Sequence, residues 1–184
     1  MLTPCPGCGA LFPPYGGPTH RYIGASAGCW ALFNWSVTME SPDDYGLIAQ
    51  SRIPENLVPV PEYGDLLTLD SLLGDAYGVQ HHGEDSTQAI QSVALHLLNL
   101  YGIISGKTTR PGWPIDRAIR TRGVFHKLDP PALGSTLTIR HLFSGGGVVK
   151  PVMRSQYVYS VYITWMELHR STVEQWYEKY VVPE

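Results

Sequence analysis

Apolar residues recur every three or four positions over three long stretches of this chain, which is the spacing of a helix with one buried face. The strongest pattern predicts a helix over about 154–181, and a second predicts one over 85–105 that ends at Gly106. A third, weaker pattern covers 65–80. On the last stretch the apolar face is formed by Val158, Tyr162, Trp165, Met166, Val173, Trp176 and Tyr180.

Shorter helices are predicted between these stretches. Ser26 precedes one that runs through Val37, a second lies near 115–121, and Thr138 caps a third over 139–143. The three prolines of 54–64 predict a loop. For the helix at 85–105 the predicted N-cap is either Asp85 or Ser86.

Together these elements predict a mainly α fold, a helical bundle with an N-terminal Gly/Pro-rich segment. At 184 residues the chain is long enough for one domain with its own core. We expect a single domain over 1–184, with a zinc-knuckle head at 1–30 and the bundle at 31–184. An irregular insertion rich in Pro and Gly is expected at 107–153.

All three cysteines of the chain lie in the predicted head. Cys5 and Cys8 form a C-x2-C pair with glycine on the turn, followed by His20 and Cys29. Thiolates and an imidazole at such spacing are typical of a tetrahedral Zn²⁺ site with no open position. The sequence therefore predicts a zinc ion held by these four residues.

The fourth ligand has alternatives. His81 or His82 replaces His20 if the head folds back onto the bundle, and without a metal the head is a proline-rich tail with incidental thiols. An odd number of cysteines suits a disulfide framework poorly, whereas reduced thiols and the lack of a signal-peptide pattern after Met1 favour the cytoplasm.

A second candidate site lies on the helices. Asp75, His81, His96 and His169 are polar residues on otherwise apolar helical faces. Imidazoles and a carboxylate on facing helices can hold a metal with an open position, or supply a base and the group that orients it. The alternative is a set of buried histidines with satisfied hydrogen bonds, because periodicity does not show whether the four converge.

Charge is unevenly distributed along the chain. Residues 1–106 contain ten acidic and two basic residues, whereas 107–127 contain six basic residues and one acidic residue. This basic segment is either an anion-binding surface or the partner of the protein's own acidic half. Overall acidity argues against general nucleic-acid binding, and no apolar run approaches the roughly 20 residues that span a membrane.

Two functional hypotheses follow. The first is a metal-dependent hydrolase- or transferase-like enzyme acting on a small molecule through the four helical residues. The second is a binding or regulatory module with a structural zinc, in which the helices or the basic segment dock a protein; a homodimer formed through the head is a third possibility. The zincin and dinucleotide motifs H-E-x-x-H and G-x-G-x-x-G do not occur in the sequence.

Three blocks of sequence carry a family resemblance: CPGCGALFPPYGGPTHRYIGASAGCWALF, DAYGVQHHGEDSTQAIQSVALHLLNLY and SVYITWMELHRSTVEQWYEKYV. In this order they resemble a bacterial family catalogued as a domain of unknown function. The resemblance covers a little under half of the chain and implies no activity. It draws attention to Asp75, Tyr77, Gln80, His81, His96 and His169.

This chain departs from that family at two points. His81, His82 and Gly83 stand where H-P-G is expected, and the segment 41–66 is expanded. The resemblance therefore implies no role for His82.

Overall fold

The computed structural model describes residues 1–40, 45–48, 57, 59–60, 65–83, 85–134, 136–144 and 146–182, so the predicted loop at 54–64 lies almost wholly outside it. Within these residues the chain is mainly α, as predicted. Its elements are β1 (Thr3–Pro4), β2 (Leu11–Phe12), α1 (Ala27–Thr38), α2 (Asp70–Gln80), α3 (Thr87–Ile104), α4 (Trp113–Arg120) and α5 (Pro151–Tyr180). Short 3-10 helices cover Tyr45–Ile48, Leu66–Thr68 and Ile139–Phe143.

Three helical elements begin where the sequence supplies a cap. The hydroxyl of Ser26 accepts a hydrogen bond from the amide of Cys29 at the start of α1, and the hydroxyl of Ser86 does the same for Ala89 at the start of α3. Thr138 forms a capping box with His141 on the 3-10 helix that follows it. The caps predicted at Thr138 and, as one of two alternatives, at Ser86 are confirmed, and a helix does begin directly after Ser26.

Two predicted helices have different bounds in the structure. The pattern over 65–80 resolves into a 3-10 turn and α2, because Leu69 between them has an extended backbone with a ψ of 140°. The last helix begins at Pro151 rather than at 154, since a proline in the first turn costs no intrahelical hydrogen bond.

The core lies where α2, α3 and α5 pack against one another, and α4 packs against α3. Fully or almost fully buried side chains from these helices include Leu73, Leu97 and Trp165. Phe12 and Cys29 of the N-terminal segment belong to the same apolar cluster, so the head is docked on the helices. None of the helices in the described residues combines the length and the apolar character needed to cross a membrane.

Candidate metal centre

Cys5, Cys8, Cys29 and His81 bring one potential ligand atom each to a single point, with all four atoms within 4.8 Å of one another. Each of these side chains is at most 4% exposed. Three soft sulfur atoms and one imidazole nitrogen form a donor set that suits Zn²⁺. The residues come from the head, from the first turn of α1 and from the end of α2.

The separation of the ligand atoms fits a tetrahedral ion. Two sulfurs bound at about 2.3 Å in tetrahedral geometry lie about 3.8 Å apart. The Sγ atoms of Cys8 and Cys29 are 3.8 Å apart, and Nε2 of His81 lies 3.2 Å from Sγ of Cys29. The three cysteines are free thiols, as a metal site requires.

The turn that carries Cys5 and Cys8 is closed by backbone hydrogen bonds. The amide of Cys5 donates to Ala10 at 2.8 Å and the amide of Gly9 donates to Cys5 at 2.9 Å, with β1 and β2 pairing on either side. Gly9 has a φ of +72°, which favours glycine.

Cys29 is placed by the start of α1. It lies in the first turn of that helix, where the unpaired backbone amides favour a negatively charged sulfur. The amide of the cap residue Ser26 donates to Sγ of Cys5 at 3.4 Å, so the same turn supports a second thiol.

His81 is aimed by the end of α2. Its Nδ1 donates to the carbonyl of Tyr77 at 2.9 Å, which leaves Nε2 directed at the sulfurs. The hydroxyl of Tyr77 donates to Sγ of Cys29 at 3.5 Å. On the other side of His81, its carbonyl accepts from Gly24 at 2.9 Å and Ile23 forms a β-bridge with His82.

The three thiols influence one another strongly. Hydrogen bonds from Cys29 and Cys8 lower the pKa of Cys5, despite its burial. Cys29 also lowers the pKa of Cys8, but the thiol of Cys5 and burial outweigh this and raise it to about 12. Burial, followed by the neighbouring thiols, raises the pKa of Cys29. A bound dication would stabilise all three thiolates together.

His20, the residue predicted as fourth ligand, lies outside this cluster. Its side chain is exposed, its Nδ1 accepts from the amide of Tyr22 at 3.3 Å, and its ring packs against Trp30 with centroids 5.1 Å apart. His81 takes the fourth position because the head folds back onto α2, which was the alternative considered from the sequence.

The four helical residues predicted as a catalytic set divide into three groups. Asp75 and His96 are paired, with Oδ1 and Nδ1 2.6 Å apart, whereas His81 belongs to the cysteine cluster. His169 was expected in the bundle interior but is half-buried, and its Nε2 donates to the carbonyl of Asp129 at 2.6 Å. It lies against Trp165, with ring centroids 5.6 Å apart.

Asn99 is a polar residue that the sequence did not single out. Its amide donates to Oδ2 of Asp75, and its own Oδ1 accepts from the backbone of Gly112 at 2.8 Å. The sequence does contain a signal for this contact. Asn99 follows His96 by three residues, so the two side chains lie on the same face of α3, and Asn99 is buried there.

Cations of the basic segment 107–127 contact groups of this same chain. Lys127 lies 2.7 Å from Asp85, Lys107 lies 3.3 Å from Glu178, and Arg117 donates to the carbonyl of Val181 at 3.3 Å. Of these three contacts, the one between Lys127 and Asp85 pairs the segment with the acidic half of the chain, residues 1–106.

Comparison with known proteins adds no assignment: no family model, no curated protein and no solved structure matches this chain. The resemblance to a bacterial family of unknown function therefore stays a prediction.

Proposed function

We propose that this protein binds one Zn²⁺ ion through Cys5, Cys8, Cys29 and His81, and that the ion is structural. The observation that carries the proposal is the convergence of three thiols and one imidazole within 4.8 Å, all of them buried. Four protein ligands complete a tetrahedral shell, so no coordination position is left for substrate.

The role of such an ion follows from where its ligands come from. Cys5 and Cys8 belong to the head, whereas His81 ends α2, so the ion joins segments that are more than 70 residues apart in sequence. Binding free energy at a site of this kind contributes directly to folding, because the unfolded chain has no preformed site. Zinc thus holds the head on the bundle, and the thiols need the reducing conditions of the cytoplasm.

This zinc is compatible with both functional hypotheses. A binding or regulatory module needs only the folded surface that zinc stabilises. Two lysines of the segment 107–127 already form ion pairs within the chain, so fewer of its basic side chains are unpaired and available to a partner. An enzyme needs a reactive group outside the closed metal shell, and Asp75 and His96 form the pair that meets this condition.

Elemental mass spectrometry on protein purified without a histidine tag tests the proposal, with His81→Gln compared with His20→Gln. We expect one zinc per chain in the wild type and in His20→Gln, and loss of zinc in His81→Gln. Chelation should lower the melting temperature of the wild type by about 5–10 °C, the range expected when a saturating ligand is removed from a chain of this size.

Equal zinc contents in the two histidine variants would contradict the ligand set. A melting curve that is the same with and without chelator would contradict the structural role, and this arm of the test needs no variant.

A further inference from the structure

A cleft of about 280 Å³ lies between the head and the helices. Tyr22 and Ile23 of the head form one wall, Gly78 and His82 form the base, and Ser92 and His96 of α3 form the opposite wall. This volume is close to the lower limit for small-molecule sites.

His96 lines this cleft, and it is paired with Asp75, which lies outside the lining. Asp75 is 4% exposed, and its two oxygens accept from Nδ1 of His96 and from the amide of Asn99. The side chain of His96 is 30% exposed. A buried carboxylate thus holds an accessible imidazole. The backbone amide of Gly112 donates to Oδ1 of Asn99 at 2.8 Å and so holds Asn99 against Asp75.

The hydrogen bond to Asp75 decides which nitrogen of His96 carries the proton. A carboxylate accepts, so Nδ1 is the donor and Nε2 keeps a free lone pair. Nε2 lies over Gly78, where a Cβ atom would stand 3.3 Å from it. A side chain at position 78 would crowd Nε2, so glycine at this position helps to keep it open to the cleft.

The lining of the cleft indicates what it would accept. Among the described lining residues there is no lysine, arginine, aspartate or glutamate, which disfavours phosphorylated and other strongly anionic substrates. The titratable groups that line it besides His96 are His20, Tyr22 and His82. Its chemistry suits a small uncharged molecule that forms hydrogen bonds.

We infer that Asp75 and His96 form a general-base dyad that hydrolyses a small uncharged ester or amide bound in this cleft. Nε2 of His96 takes a proton from water while the water oxygen bonds to the acyl carbon. The imidazolium then returns that proton to the leaving group as its bond to the acyl carbon breaks, so the products are an acid and an alcohol or amine. His96 is the catalytic residue and Asp75 is a positioning residue that holds its tautomer.

The dyad lies on α2 and α3, whereas Tyr22 and Ile23 of the cleft belong to the head, so the cleft rests on the proposed docking of the head by zinc. The ester p-nitrophenyl acetate is a suitable uncharged probe. We expect His96→Gln to lower kcat/KM for this ester by about 100-fold, the usual contribution of a general base. His169→Gln is the matched control, since that imidazole is half-buried outside the cleft, and its rate should stay within about twofold of the wild type.

Zinc content and circular dichroism of each variant show whether it is folded. Equal rates in the wild type and His96→Gln, or a wild-type rate no higher than that of buffer, would overturn the inference.

Nitrogen-15 NMR of the histidine rings tests the dyad without any substrate. In the wild type we expect the proton of neutral His96 on Nδ1, and in Asp75→Asn we expect it on Nε2, because an asparagine amide can donate to Nδ1. A wild-type spectrum with the proton on Nε2 would overturn the role of Asp75. If Asp75 did not hold the tautomer of His96, the Asp75→Asn substitution would leave the protonated ring nitrogen unchanged.

Discussion

Nδ1 of His81 donates to the carbonyl oxygen of Tyr77 at 2.9 Å, and the two rings stack with centroids 3.9 Å apart. Because a carbonyl can only accept, Nδ1 carries the ring proton of neutral His81 and Nε2 is free to bind a metal. The neutral imidazole is therefore held in the tautomer that binds a metal through Nε2.

Zinc binding should release about two protons per ion near pH 7.5. Hydrogen bonds from the other two thiols lower the pKa of Cys5, which favours one thiolate in the cluster, whereas the pKa of Cys8 is raised to about 12 and that of Cys29 is also raised. Because these two protons must leave, zinc affinity should increase with pH across the neutral range and decrease as the solution is acidified.

Calorimetric titration of metal-free protein with zinc, in buffers of different ionisation enthalpy, measures this release. A heat that does not depend on the buffer would mean that all three cysteines are thiolates before the ion arrives. The prediction would then be wrong.

Replacing Gly7 by alanine should weaken zinc binding and lower the melting temperature. A Cβ atom at Gly7 would lie 2.6 Å from Cδ2 of His81 and 2.7 Å from the carbonyl oxygen of Gly24, so either the knuckle or His81 must move. Misplacing one ligand of a tetrahedral site costs affinity even when all four ligands remain.

Gly16→Ala is the matched control for this substitution, because nothing lies within 4 Å of a Cβ atom at that position. Competition with a chromogenic chelator measures zinc affinity in both variants. Equal affinities would show that the contact between the knuckle and His81 does not control the metal site.

Tyr157→Phe should destabilise the protein by about 1–3 kcal/mol, the cost of leaving a buried polar group unpaired. The hydroxyl of Tyr157 donates to Oε1 of Gln80 at 2.9 Å, and Nε2 of Gln80 donates to the carbonyl of Leu137 at 2.7 Å. This network joins α5 to the last residue of α2, directly before His81.

Urea unfolding of Tyr157→Phe and Tyr159→Phe measures this effect, since Tyr159 is half-buried on the same helix. We expect a change in the free energy of unfolding of less than about 0.5 kcal/mol for Tyr159→Phe. Similar losses in the two variants would mean that the bond to Gln80 adds nothing specific.

The helices and three of the four clustered residues follow from local features of the sequence. Ser26 and Ser86 cap helices through atoms three residues away, and the C-x2-C pair closes its own turn. Such features need no knowledge of how the chain folds back. For this reason periodicity and spacing were sufficient to predict them.

The fourth member of the cluster depends on long-range docking. His20 is near Cys8 and Cys29 in sequence, but its ring packs on Trp30, whereas His81 reaches the thiols because Gly24 and Ile23 pair with the end of α2. The spacing of residues along the chain does not show which of these two histidines joins the three thiols. The choice is made by contacts between segments more than 50 residues apart.

The position of His169 shows a second limit of periodicity. A face of α5 that is apolar on average does not bury each of its residues equally: Val173 and Trp176 on this face are buried, whereas His169 is half-buried. His169 therefore meets the backbone of Asp129 instead of Asp75.

His81 and His82 are consecutive in the chain, yet His81 faces the thiols and His82 lines the cleft. The same turn at the end of α2 orients both rings, so the orientation of one is coupled to that of the other. Without the zinc ion that we propose, newly made chains in a zinc-starved cell would lose a contact that holds the head against this turn. The amount of protein with a formed cleft would then follow the supply of the metal rather than the rate of translation.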